Sequence, residues 1–341
     1  MKLFLMGTAS FLFICFYSFV NRKLLPLHLE MKNVFLYIAV TVALLTGACN
    51  PADELLPPRA GNAVYYWRTI FMLDSTEQAF LHHNDIKYVY CRYFDVVLDE
   101  SGQTRPNATI QFAQHLSDSI EIIPTVFIMN DCMQKSALTS EGKENTGDFA
   151  RKIVERILQM NETHDIKNVH EIQIDCDYTA TNRELYYRFL KEVGRTAAKR
   201  GLRLSTTIRL HQLAMPAPPA DYGILMLYNT GDPGRALEPT PNDRRQEIRN
   251  PILDLRDVKP YLHFLKDYNL PMGAAYPTFV WNRNIHGVTI AHTADYEEIA
   301  RTKRLVEAER RDMRQLILTY HLDNNNINRY TPKQYEEIYH H

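Results

Sequence analysis

From Ala63 onward, apolar and polar positions alternate between two patterns. Short runs rich in Val, Ile, Tyr and Leu read as strands. Between them apolar residues recur every three or four positions, the period of a helix with one buried face. The strand runs are Ala63–Trp67, Lys87–Phe94, Glu121–Met129, Glu171–Asp175, Leu202–Leu210, Gly223–Tyr228, Met272–Phe279 and Gln315–Tyr320. Helical patterns cover Ser75–Asn84, Thr146–Met160, Leu185–Ala197, Asp257–Tyr268 and Asp295–Arg311. Eight strands alternating with helices over about 280 residues predict an α/β fold, a (β/α)8 TIM barrel formed as one domain by residues 63–341. A doubly wound open sheet is the rival, but no Gly-rich phosphate turn follows the first strand.

The fourth strand carries the most pointed chemistry. Val169–Thr179 reads VHEIQIDCDYT, an alternating strand that ends in two acids spaced i, i+2. Side chains alternate faces on a strand, so Asp175 and Asp177 point the same way, with Cα atoms roughly 6–7 Å apart. Paired carboxylates at a strand end repel, and one pKa rises. Thr181–Glu184 fits a capping box opening the next helix, and Lys199-Arg200-Gly201 fits its end. The acids therefore lie at the carboxyl end of a β-α-β unit, where barrels hold their active residues.

Other polar and aromatic residues fall at the same predicted rim. Arg92 and Asp95 end strand two, Asn130 and Asp131 end strand three, and Arg209 and His211 end strand five. The two tryptophans, Trp67 and Trp281, follow strands one and seven, placed to floor a sugar subsite. The long connections 130–145 and 229–256 belong to this face, and loops of that length are usually functional. Each of these residues taken singly is also explained as a loop-fixing or packing side chain. A hard cation held by Asp95, Asp131, Asp175 and Asp177 is a weaker alternative, since no contiguous metal loop exists; the chain calls for no cofactor.

Composition narrows the setting. A formal net charge of −1 over 341 residues, with no Lys/Arg-rich patch, argues against nucleic acid as a partner. Two apolar runs, Leu3–Val20 and Val34–Leu45, open the chain, and residues 1–48 read as a targeting segment. Met31 would begin a complete signal alone, which makes residues 1–30 the product of an upstream start codon; the alternative is that Leu3–Val20 spans a membrane. Leu44-Leu45-Thr46-Gly47-Ala48-Cys49 resembles a bacterial lipobox, with Thr46 where Leu is usual. The resemblance implies lipidation of Cys49, a tether over 49–62, a membrane contact through the lipid, and an outer-membrane lipoprotein of the cell envelope. An ordinary signal peptide or membrane anchor is the other reading. Cys91, Cys132 and Cys176 form no metal or disulfide pattern and read as buried thiols.

In their order the motifs resemble the family-18, chitinase-like glycoside hydrolases. Ile174-Asp175-Cys176-Asp177-Tyr178 is similar to the end of that family's D-x-x-D-x-D-x-E strand, with Asp177 at the catalytic glutamate and Asp175 at the preceding aspartate. Met226-Leu227-Tyr228-Asn229 matches the sixth-strand motif, and Pro271–Pro277, with Tyr276, is similar to the seventh. The resemblance spans roughly residues 63–320. Gln173 and His170 depart from the upstream acids, Asp177 is one methylene shorter than glutamate, and the third-strand Ser-x-Gly-Gly is absent. The chain also resembles an uncharacterised family of bacterial barrels with Asp-x-Asp at this place. The resemblance implies substrate-assisted cleavage of an N-acetylhexosamine glycan. Asp177 would be the acid, its pKa lifted by Asp175; Asp175 would orient the acetamide and Tyr228 steady it. Trp67, Arg92, Asp95, Arg209, Asn229, Tyr276 and Trp281 would line the glycan site. A non-catalytic glycan-binding surface lipoprotein is the alternative.

Overall fold

The computed structural model describes residues 59–340 except 116, 118, 135, 141–142, 232–248 and 286–287. The targeting segment, Cys49 and most of the tether lie outside the described residues. Eight parallel strands close on themselves: β1 Gly61–Tyr66, β2 Ile86–Leu98, β3 Glu121–Ile128, β4 Glu171–Asp175, β5 Arg203–Ile208, β6 Tyr222–Met226, β7 Met272–Pro277 and β8 Leu316–Tyr320. Each pairs with the next, and β1 pairs with both β2 and β8, so no edge remains in the cylinder. Closure makes the fold the expected (β/α)8 barrel.

Alternation along the strands sorts side chains into two cores. The outward set includes Val64, Ile172, Ile174 and Tyr276, packed under the helices. The inward set includes Tyr65, Tyr90, Ile123, Tyr222, Met226, Tyr228 and Leu318. The helical layer comprises α1 Ser75–His83, α2 Thr146–Thr163, α3 Arg183–Ala198, α4 Leu255–Leu265, α5 Tyr296–Glu309 and α6 Pro332–Tyr339. In α3 the apolar stripe Leu185, Phe189, Val193 and Ala197 is buried, as its spacing predicts. The capping box expected at its start does not form. Asn182 is the N-cap, and the Thr181 hydroxyl turns instead to Thr179 Oγ1 at 2.8 Å. At its end Gly201, with φ +70°, takes the left-handed turn that releases the chain into β5.

The helical layer is incomplete. Among the described residues no helix joins β2 to β3; β2 instead runs on past Phe94 and folds back as a hairpin with Thr104–Asn107. After β5 there is only a 3-10 turn, Leu210–Ala214. After β7 a second hairpin, Val280–Ile285 with Val288–Thr293, rises at the carboxyl end. The loop after β3 is short-stapled by Asn145 N–H donating to Leu138 O at 2.7 Å.

Candidate active site

An inward polar ladder runs up β4 and is matched rung by rung on β5. Glu171 accepts from Ser205 Oγ at 2.6 Å, and Asp175 Oδ1 accepts from Thr207 Oγ1 at 2.6 Å. Arg209 Nε donates to Asp177 Oδ1 at 2.5 Å and its Nη2 to Oδ2 at 3.2 Å. Between them Gln173 accepts from Tyr65 hydroxyl at 3.0 Å. Period-two alternation puts residues 171, 173, 175 and 177 on one face, so the predicted convergence of Asp175 and Asp177 holds.

The two acids inhabit different environments. Asp175 is buried, and burial pushes its carboxyl up to about 6; the neighbouring Asp177 adds to the rise, while Arg209 and the Thr207 hydrogen bond oppose it. Asp177 keeps a side chain 45% exposed and forms the ion pair with Arg209. Asp175 is the acid nearer the barrel interior, and its deprivation of water is the cause of its rise.

Tyr228 lies just past β6. Its ring stacks on Tyr320 at 4.6 Å and 22°, and the Arg209 guanidinium lies 5.6 Å from its centroid. Its hydroxyl is buried and has no hydrogen-bond partner among the described residues. A buried hydroxyl without a partner costs about 1–3 kcal/mol, a cost that a bound acceptor or water would offset. Tyr320 also meets Trp67 at 5.6 Å and Phe279 at 5.5 Å, edge-on. These four rings form a continuous aromatic wall beside the acids.

Beside Trp67, on the neighbouring strand, Arg92 Nε donates to Asp95 Oδ1 at 2.7 Å, and its guanidinium lies 5.6 Å from the Trp67 ring. A register shift between Arg92 and Phe94 interrupts pairing with β3 here. Such bulges re-aim side chains at barrel rims. The strand expected to end at Phe94 runs on to Leu98, so Arg92 and Asp95 sit within it. Phe127 of β3 is in register with both Asp95 and Asp175.

The remaining expectations divide. Asn229 is exposed, directly after Tyr228, in a left-handed turn (φ +52°) that asparagine tolerates. Tyr276 does not join the site. It is fully buried on the outward side of β7, because strand alternation gives the inward face to Ala275. Trp281 is also separate from the wall. It belongs to the hairpin, packs against the outer core and faces His292 at 5.8 Å; Phe279, two residues earlier, takes the place expected of it. His211 is exposed, 3.3 Å from Tyr178 O. Asn130 accepts from Asn182 Nδ2 at 2.5 Å and so fixes a loop. Thr207, Phe279 and Tyr320 were missed. Tyr320 was legible as the last residue of strand eight, and Thr207 as the same-face neighbour of Arg209.

No family model and no curated protein matches this chain. Solved structures do resemble its fold. A chitinase from Bacteroides thetaiotaomicron superposes with a TM-score of 0.54 at 10% identity, over 83% of this chain and 99% of that one. The spore cortex-lytic enzyme SleL of Bacillus megaterium QM B1551 gives a TM-score of 0.50 at 10% identity, over 83% and 74%. At such identities the likeness is one of fold: the described residues form a chitinase-like TIM barrel.

Proposed function

We propose that this chain is a glycoside hydrolase acting on an N-acetylhexosamine-containing glycan in the barrel mouth, within an envelope lipoprotein anchored through Cys49. The observation that carries the reading is the split between the acids. Asp175 is buried and holds a proton up to about pH 6, while Asp177 is part-exposed and paired with Arg209. Two carboxyls whose surroundings drive them apart are the usual basis of an acid and anion pair. Asp177 is the member within reach of a glycan, and Asp175 holds the resting proton. On this reading the pair's proton passes to the leaving oxygen as the C1–O bond breaks. The substrate's own acetamide oxygen closes on C1, so no separate protein nucleophile is required. Water then opens that ring and a proton returns to the pair. Tyr228 hydroxyl supplies a hydrogen bond to the acetamide, and Trp67 and Tyr320 offer faces for sugar rings.

A second reading, a glycan-binding barrel without turnover, has its own support. Both oxygens of Asp177 accept from Arg209, which engages this carboxyl in an ion pair rather than leaving it open to a glycosidic oxygen. The test is a panel of fluorogenic N-acetylhexosaminides and chitooligosaccharides, assayed beside Asp177→Asn. Turnover abolished by the substitution supports the hydrolase. No turnover, with glycan binding retained on an array, leaves the binder. Neither activity removes both.

A further inference from the structure

A cavity of about 320 Å³ lies on the outside of the barrel, between the β2 hairpin and α2. That volume lies within the range of small-molecule sites. Its apolar wall is made by Phe94 and Val96 on the outward face of β2 and by Phe149 and Ile153 on α2. Its charged groups are three cations, Arg105, Lys152 and Arg156, against the single carboxylate of Asp148. Asp148 is already satisfied by Lys152, at 2.7 Å, and by Arg151.

Arg156 is the key group. Its guanidinium lies 5.0 Å from the Phe94 centroid and Nη2 donates to Thr109 Oγ1 at 2.9 Å. Its Nε is buried with no acceptor among the described residues, and no carboxylate among them pairs with this side chain. A half-buried arginine without a counter-ion, at the end of an apolar slot, is complementary to an anion carrying an apolar body. We infer that this cavity binds a small amphipathic carboxylate, its aromatic or aliphatic body against Phe94 and Phe149 and its head on Arg156. The site is on the far side of the β2 strand wall from the barrel mouth, and it stands independently of the glycan reading.

The test is calorimetric titration of the full chain with 3-phenylpropionate and with its neutral amide. The acid is expected to bind saturably, and the amide at least tenfold more weakly. Arg156→Gln is expected to weaken the acid at least tenfold and to leave the amide unchanged. Arg105→Glu, on an exposed side chain that folding does not require, should weaken the acid severalfold. Asp177→Asn should change neither. Absence of saturable binding, equal affinity for acid and amide, or an affinity for the acid untouched by Arg105→Glu overturns the inference.

Discussion

Asp175→Asn should make the protein more stable at neutral pH while removing its activity. The folded carboxyl takes up its proton at about 6, against 3.8 for an ordinary aspartate, chiefly because it is buried. That gap corresponds to about 3 kcal/mol of cost for carrying the charge in the folded state. The sign follows from the raised value. Below about pH 4 the carboxyl is neutral in both folded and unfolded chains and the cost vanishes; it grows as pH rises toward 6 and is complete above that. Asparagine keeps the shape and still accepts from Thr207 Oγ1, but carries no charge at any pH. Thermal unfolding of both proteins from about pH 4 to 8 should therefore show matching midpoints at the acid end. At pH 8 the variant should melt roughly 6–12 °C higher, using about 2–4 °C per kcal/mol for a chain of this size. A variant that is less stable at pH 8, or an offset that does not change with pH, would refute the reasoning.

Tyr228→Phe deletes a buried hydroxyl that bonds nothing, so thermal unfolding should show stability unchanged or raised by about 1 kcal/mol, while turnover falls at least tenfold; a marked loss of stability would mean the hydroxyl has a partner in the free protein. Tyr276→Phe removes an equally partnerless hydroxyl on the outward face, and kcat/KM should not move. Trp67→Ala should weaken oligosaccharide binding about tenfold, a loss of ~1.4 kcal/mol, with kcat less affected; calorimetry with chitooligosaccharides reads this directly. Glu171, buried in the barrel floor beside Arg59, is raised to about 7 by burial, with Arg59 and Ser205 pulling it back. Its contribution to stability should likewise fall as pH rises from about 4.5 to 7, and Glu171→Gln should flatten that part of the unfolding profile.

The barrel was legible because strand and helix periods differ and the chain keeps them distinct. Strand β4 falls where its alternation puts it, and the buried stripe of α3 is the one its spacing predicts. Position along a strand was less secure than face. Tyr276 looked like a rim aromatic because its motif sits near the end of strand seven, yet parity alone turns it outward. Trp281 follows strand seven, the position expected of a rim aromatic, but the hairpin that carries it away from the wall leaves no clear signal in the sequence. Residues 99–120 carry no sustained helical period, and none of the described residues there forms a helix. The partners of charged residues were not legible. Nothing local to Asp177 announces Arg209, thirty-two residues on, because that pairing is made by neighbouring parallel strands and their register. The rise of the Asp175 carboxyl, in turn, comes from tertiary burial.

The most direct test of the account is the pH dependence of kcat/KM for chitooligosaccharide hydrolysis, which reports the essential groups of the free protein. The account predicts measurable turnover with a limb that falls as pH rises above about 6, and no turnover in Asp175→Asn. Turnover undiminished in that variant, or no hydrolysis of any N-acetylhexosaminide at any pH, would contradict it.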